Sequence, residues 1–319
     1  MDVVLIISIL TVAIQAGTSL VYATIGEIFA ERSGILNLGV EGMMIMGAVI
    51  AFAGAYHTGS AWVGVAVAIA AGGLLALIHA FLTVSLRADQ VVSGLALTIF
   101  GTGLASFLGQ RLGPAGKPLV GLVGPRFQSI PLPVLSQIPV IGKALFDQNI
   151  LVYGMYLLVP LASYWIFRTR PGLHMRSVGE NPGTADALGI NVYRNRYLYT
   201  IFGGMLAGLG GASLSLAYTP GWTENITGGR GWIAIALVIF ATWNPYRALL
   251  GALLFGGVNA IQFRLQAAGT TIPAPFLNML PYIFTIVVLT IVTVYENVSK
   301  RVGAPAALGL PYVRGERTG

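Results

Sequence analysis

Residues 42–86 read GMMIMGAVIAFAGAYHTGSAWVGVAVAIAAGGLLALIHAFLTVSL, without a single Asp, Glu, Lys or Arg. The run breaks once, at His57-Thr-Gly-Ser60. A helix rises about 1.5 Å per residue and the hydrocarbon core of a bilayer is about 30 Å thick, so one crossing takes about 20 residues. The stretch is therefore predicted to form two membrane spans joined by a short polar turn.

The same pattern extends over most of the chain. Further charge-free runs cover 3–26, 90–110, 148–167, 197–223, 231–246, 248–263 and 265–295. Only 9% of the 319 residues are charged while 55% are hydrophobic, where a soluble domain carries about 25% charge. A water-soluble globule lacks the solvating groups for such a surface, and a disordered chain shows the opposite composition. The runs are continuously apolar rather than alternating, which favours helices over the strands of a barrel. The expected fold is an all-α polytopic membrane protein of about nine (eight to ten) segments. They lie near 3–25, 42–56, 61–86, 90–110, 150–167, 198–217, 231–244, 248–264 and 277–295. Segments 42–56 and 231–244 are short for a full crossing. The first run has no basic n-region and reaches Gly26, so it reads as a retained span rather than a signal peptide.

Basic residues orient such a protein. Arg168, Arg170, Arg176, Arg194 and Arg196 fall in one loop, and Lys300, Arg301, Arg314 and Arg317 in the tail. Placing both in the cytoplasm puts twelve basic residues inside and six outside, with the N-terminus external and the C-terminus cytoplasmic. The formal net charge of +7 is then an orientation signal. No basic run marks a nucleic-acid partner.

Two segments resemble each other. Asn37-Leu-Gly39-Val-Glu41-Gly42 and Asn225-Ile-Thr-Gly228-Gly-Arg230-Gly231 each open a short apolar helix with a Gly-x-charge-Gly step, and Gly pairs follow at Gly72-Gly73 and Gly256-Gly257. The matching spans are second and seventh. An odd offset reverses the direction of travel, so the halves are expected to form an inverted internal repeat, a recurrent transporter construction. On that reading Gly39 and Gly42 sit at the inner end and Gly228 and Gly231 at the outer end. Glu41 and Arg230 then occupy corresponding places with opposite charge, either at a gate or simply at the headgroup level.

Catalytic chemistry is missing. Gly113-Pro-Ala-Gly116-Lys117-Pro118 has the wrong spacing for a phosphate-binding loop and a proline where a hydroxyl is needed. There are no cysteines and three scattered histidines, His57, His79 and His174, so no metal-ligand spacing occurs. The carboxylates Glu27, Glu31, Glu41, Asp89 and Glu224 are all expected near segment ends. Gln15, His79, Asn259 and Gln262 are the polar residues placed deepest, lining a path or bridging helices. Scarce intramembrane charge argues against ion coupling.

In the loop after residue 167, Asn181 suits a helix N-cap, Pro182 the first helical position and Gly189 the stop, with Thr184 to Leu188 completing a two-turn helix. Such a helix suits docking to a soluble partner, or is an ordinary surface helix. Gly179-Glu-Asn-Pro-Gly-Thr-Ala-Asp-Ala-Leu-Gly-Ile190 resembles the cytoplasmic coupling motif of ABC importer permeases for branched-chain amino acids and simple sugars. Thr24-Ile-Gly-Glu-Ile-Phe-Ala-Glu-Arg-Ser-Gly-Ile-Leu-Asn-Leu-Gly-Val-Glu-Gly42 is similar to the nucleoside-importer branch, as are Ile130-Pro-Leu-Pro-Val-Leu-Ser-Gln-Ile-Pro139 and Asn225–Gly231. The likeness runs from about residue 5 to 300. It departs at Asp186, where many relatives carry Ala.

The resemblance implies a non-catalytic permease subunit of a type II ABC importer in a bacterial-type cytoplasmic membrane. Its expected partners are a second related permease in a heterodimeric pore, a cytoplasmic subunit that binds ATP and Mg, and an external substrate-binding lipoprotein. It divides a single domain, 1–300, into half-repeats of about 3–110 and 198–296. An external loop, 111–149, a coupling loop, 168–197, and a cytoplasmic tail, 301–319, complete it. Gly179, Glu180, Asn181, Pro182, Gly183, Ala185 and Gly189 are implied in ATPase coupling. Asn37, Gly39, Glu41, Gly42, Asn225, Gly228, Arg230 and Gly231 are expected near the gates, with Asn259 and Gln262 along the path. No metal site and no cofactor of its own are expected. The expected cargo is a nucleoside; the alternatives are a simple sugar, a branched-chain amino acid, or an ion-coupled secondary carrier.

Overall fold

The computed structural model describes residues 3–270, 272–299 and 303–314. Lys300, Arg301 and Arg317, used above for orientation, lie outside them. The fold is built from α1 (Val3–Arg32), α2 (Val40–Thr58), α3 (Ala61–Ala80), α4 (Gln90–Arg111), a short α5 (Ile141–Phe146), α6 (Ile150–Arg168), α7 (Arg170–Glu180), α8 (Pro182–Ala187), α9 (Val192–Ser213), α10 (Arg230–Phe240), α11 (Pro245–Ala267) and α12 (Ala274–Ser299). Wider π-type turns, Phe81–Ser85 and Leu214–Tyr218, extend α3 and α9. One two-stranded antiparallel ribbon, β1 (Ser129–Pro131) with β2 (Asp147–Asn149), pairs Ile130 with Gln148 and closes the 111–149 loop.

Seven of the described helices are long and apolar enough to cross a membrane, ending with Val192–Tyr218 and Pro245–Ala267. Of the two segments expected to be short, α2 has 19 residues and qualifies, whereas α10 has 11 and does not. At 1.5 Å per residue α10 covers only about half the hydrocarbon thickness.

In lipid, apolar side chains gain nothing by leaving solvent for one another, so helices associate by close packing of small residues. The centre of the fold is assembled that way. Gly26 of α1 packs on Gly203 of α9, where an added Cβ on either would meet the other's carbonyl oxygen at 2.5–2.6 Å. Further along, Ser19 meets Gly210, so α1 and α9 run antiparallel. Gly208 of α9 abuts the Ala68 carbonyl of α3, and Gly72 of α3 abuts that of Gly204. The other half repeats the arrangement: Gly17 of α1 abuts the Ala252 carbonyl of α11, and Gly256 abuts that of Ala13. In all four helices the paired positions are one turn apart. Thus α3 lies on α9 as α11 lies on α1, with the direction of travel reversed.

Candidate functional site

The turn after α1 does not continue outward from it. Residues 33–39 fold back along the helix, and the backbone N–H of Asn37 donates to Glu27 Oε1 at 2.9 Å. The buried Asn37 side chain accepts from Gly39 N at 3.0 Å, shaping the entry into α2. α2 therefore starts well inside the protein. α10 also starts there: Arg230, its first residue, donates to the Ala16 carbonyl at 2.8 Å and to Ser19 Oγ at 3.3 Å, beside the middle of α1. The placement of Gly39 and Gly42 at one membrane face and Gly228 and Gly231 at the other is thereby corrected. Gly231 lies against the Glu41 backbone, with no room for a Cβ.

Two helix N-termini thus meet level with the middle of α1 and share one carboxylate. Glu41 is 6% exposed and accepts from Thr227 Oγ1 at 2.6 Å, Gly229 N at 3.0 Å and Gly231 N at 2.5 Å. The first two bonds reach Oε1 and the third Oε2. The N–H groups of Gly229 and Gly231 at the start of α10 have no intrahelical partner, so Glu41 supplies what a capping side chain of α10 would otherwise supply. Its charge also faces the positive ends of both helix dipoles. Gly229, with φ of 81°, takes the left-handed conformation that aims the loop at the carboxylate. Glu41 and Arg230 do not form an ion pair: the guanidinium turns to α1 and stacks over the Tyr218 ring, 5.1 Å from its centroid. Asn225 is exposed with φ of 57°, and the Gly228 carbonyl accepts from Tyr282 Oη at 2.7 Å. On α11, Asn259 is half-buried and Gln262 buried.

Two further carboxylates sit inside the protein, contrary to their expected position at segment ends. α1 continues to Arg32, seven residues beyond the predicted span, and buries Glu27 and Glu31 at 1% and 2% exposure. Glu31 Oε2 accepts from Trp243 Nε1 at 2.6 Å, tying α1 to the turn between α10 and α11. The chain therefore does bury ionisable groups, contrary to the expectation that all its carboxylates lie at segment ends. His79 is a helix bridge: one ring nitrogen lies 3.0 Å from Ser93 Oγ on α4, the other 3.0 Å from the Leu36 carbonyl. Gln15 similarly donates to Gln148 Oε1 at 3.0 Å, linking α1 to β2. Among the described residues no cluster of three or more His, Asp and Glu is placed to hold a metal ion.

The loop after α6 is a helical pair. α7, a helix of 11 residues, precedes α8, and Asn181 Oδ1 accepts from Thr184 N at 2.9 Å as the cap of α8. α8 stops at Ala187, one residue before its expected end, and Gly189 follows with φ of 81°. Gly179 presses on the Arg32 carbonyl, joining the end of α7 to the end of α1. Ala185 is buried with Val178, Val192 and Tyr312, while Glu180, Asn181, Gly183, Thr184 and Leu188 are exposed. Gly183 has space for a side chain; its nearest neighbour would be Asn181 Oδ1 at 3.6 Å.

Sequence reasoning missed the tail. Residues 303–314 form a strap across this end of the molecule. Ala307 N donates to the Gly179 carbonyl at 2.9 Å and Gly309 N to that of Gly34 at 3.3 Å. Buried Arg196 donates to the Leu310 carbonyl at 2.9 Å, and Arg314 Nε pairs with Asp186 Oδ2 at 2.9 Å. The one available signal was Asp186 itself, which gains a partner here.

The family described as branched-chain amino acid transport system, permease component, matches residues 8–292. A putative glucose ABC transporter permease of Haloferax volcanii is 40% identical, covering 96% of this chain and 97% of its own. A guanosine ABC transporter permease of Bacillus subtilis is 36% identical over 99% and 100%. A nucleoside ABC transporter permease of Lactococcus lactis subsp. cremoris is 39% identical over 93% and 94%. No solved structure matches the chain.

Proposed function

Because the chain belongs to the family of permease components of branched-chain amino acid transport systems, we propose that it lines the pathway of an ATP-driven importer for nucleosides. Two near-full-length relatives named for guanosine and nucleosides support that cargo. The Haloferax relative, at 40% identity, favours a simple sugar as the second reading. The single observation that carries a transport role is the meeting of α2 and α10 at Glu41. Discontinuous helices whose N-termini face each other at mid-depth recur at the substrate sites of transporters. Here Glu41 already balances both helix ends, so the junction suits a neutral solute better than a phosphate ester. Asn37, Gly39, Gly42, Asn225, Gly228, Arg230 and Gly231 shape or border this junction in our reading, and Asn259 and Gln262 line the path beside it.

In the same reading the chain hydrolyses nothing itself. A cytoplasmic ATPase, which holds the ATP and Mg, docks on the exposed face of α8. Gly179 to Gly189 carry its motion into α1 through the Gly179–Arg32 contact. A second permease completes the pore, and the 111–149 loop receives an external binding protein. The half-repeats are taken as about 3–110 and 198–296, with α7 and α8 cytoplasmic and the N-terminus external.

Reconstitution with a cognate ATPase, second permease and binding protein tests this directly. ATP-dependent vesicle uptake of labelled guanosine, unaffected by excess guanosine monophosphate, is expected. Glucose uptake in its place would favour the second reading. Uptake driven by a proton or sodium gradient without the ATPase would overturn both.

A further inference from the structure

A cavity of about 920 Å³ opens between α6, α7 and the first turns of α9. Its apolar wall comes from Leu161, Trp165, Leu198 and Phe202, all exposed in the chain. Trp165 is held in place, its Nε1 donating to Tyr199 Oη at 3.4 Å, which in turn donates to the Pro171 carbonyl at 3.1 Å. The rim is different in character. Arg170 and Arg194 line it together with His174, and no Asp or Glu lines the cavity at all. Neither guanidinium has a partner among the described residues. The acids nearest in sequence are engaged elsewhere: Asp186 with Arg314, and Glu180 with Ala306 N at 3.3 Å.

We propose that this cavity is a binding site for one anionic phospholipid of the leaflet level with α7. The phosphate lies between Arg170 and Arg194, and an acyl chain runs along Leu161, Trp165, Leu198 and Phe202. The argument is one of complementarity. α6 ends its apolar run at Arg168, so the arginines stand where a headgroup phosphate stands and the apolar wall where its chains begin. Planar guanidiniums match phosphate oxygens in paired geometry. Basic pockets between spans are where charged headgroups are recognised. A second apolar protein surface would fill the wall but leave both guanidiniums without a countercharge; a phospholipid supplies both parts in one molecule. The site does not depend on the cargo, and it shares Leu188 and Gly189 with the end of the coupling segment.

The full-length chain extracted from membranes is tested by native mass spectrometry with added phosphatidylglycerol or phosphatidylcholine. One phosphatidylglycerol is expected to be retained in preference to phosphatidylcholine. Each of Arg170→Gln and Arg194→Gln is expected to lower that retention about fivefold. Arg126→Gln, on the exposed 111–149 loop, leaves it unchanged. Arg170→Lys, which keeps the charge and loses the fork, is expected to fall between Arg170 and Gln. Equal retention of the two lipids by the unaltered chain would overturn the site. So would a loss in Arg126→Gln equal to that in the groove variants. A photoreactive residue at Phe202 then reports the occupant in intact membranes. Crosslinking to phospholipid supports the proposal, and crosslinking to a polypeptide overturns it.

Discussion

Glu41 receives three hydrogen bonds across 186 to 190 residues of sequence. It is charged, almost wholly buried, and capped onto a helix that it does not belong to. Replacing it by Gln keeps the shape but removes the charge and one acceptor oxygen, leaving the amide nitrogen facing a donor. Hydrogen bonds to a charged group contribute about 1.5–3 kcal/mol, so Glu41→Gln is expected to lose a stability of that order in a detergent thermal-unfolding assay. Uptake is expected to fall at least as steeply. A variant with unchanged melting would show that the carboxylate does not hold the junction. The residue types here were legible in the sequence as a glycine-flanked charge opening an apolar run. That Glu41 binds the backbone of Gly229 and Gly231, and not the Arg230 charge, was not legible. A backbone N–H leaves no mark in a residue code.

At the scale of elements, the close-packed glycines separate two neighbours with the same sequence appearance. Gly256 abuts the Ala13 carbonyl, whereas nothing lies within 4 Å of a Cβ on Gly257. Gly256→Ala must push backbone from backbone and is expected to cost about 1–3 kcal/mol, as overpacking does. Gly257→Ala is expected to be neutral or stabilising by up to about 1 kcal/mol, because Ala suits a helix better. Size-exclusion monodispersity and melting of the two variants decide this. The tail strap gives a second contrast. Asp186–Arg314 joins a 21%-exposed carboxylate to a 74%-exposed guanidinium, and exposed pairs contribute about 0–1 kcal/mol. Arg314→Ala should therefore change uptake little. Tyr312, 6% exposed in the cluster under α8, is a different case. Tyr312→Ala leaves a cavity beneath α8 and is expected to uncouple ATP hydrolysis from uptake, read as a raised ratio of ATP consumed to solute moved. An unchanged ratio would limit the strap to a packing role. The α8 cap was readable because Asn-Pro at a helix start and Gly after its end follow from local geometry. The strap was not, since a polar tail carries no periodicity that names its docking face.

For the whole molecule, the distribution of basic residues predicts a sidedness that can be measured cleanly, because the chain has no cysteine. Gly183→Cys on α8 is expected to react with a membrane-impermeant maleimide only in inverted vesicles. Val123→Cys, on the 92%-exposed tip of the 111–149 loop, is expected to react only in intact cells. The opposite pattern would invert the orientation taken from the basic residues.

By itself the sequence determined that this chain spans a membrane through about nine helical segments. It also marked the reversed repeat and the capped helix between the fifth and sixth of those segments. Those conclusions rest on charge, apolar run length and capping geometry, which are local properties that survive in a one-dimensional record. Only the tertiary structure decided that the turn at 33–39 folds back along α1, that α10 stops halfway, and that Glu27, Glu31 and Glu41 are buried. Each of these depends on where a polar group finds its partner, and in a medium without water that partner lies tens to hundreds of residues away along the chain.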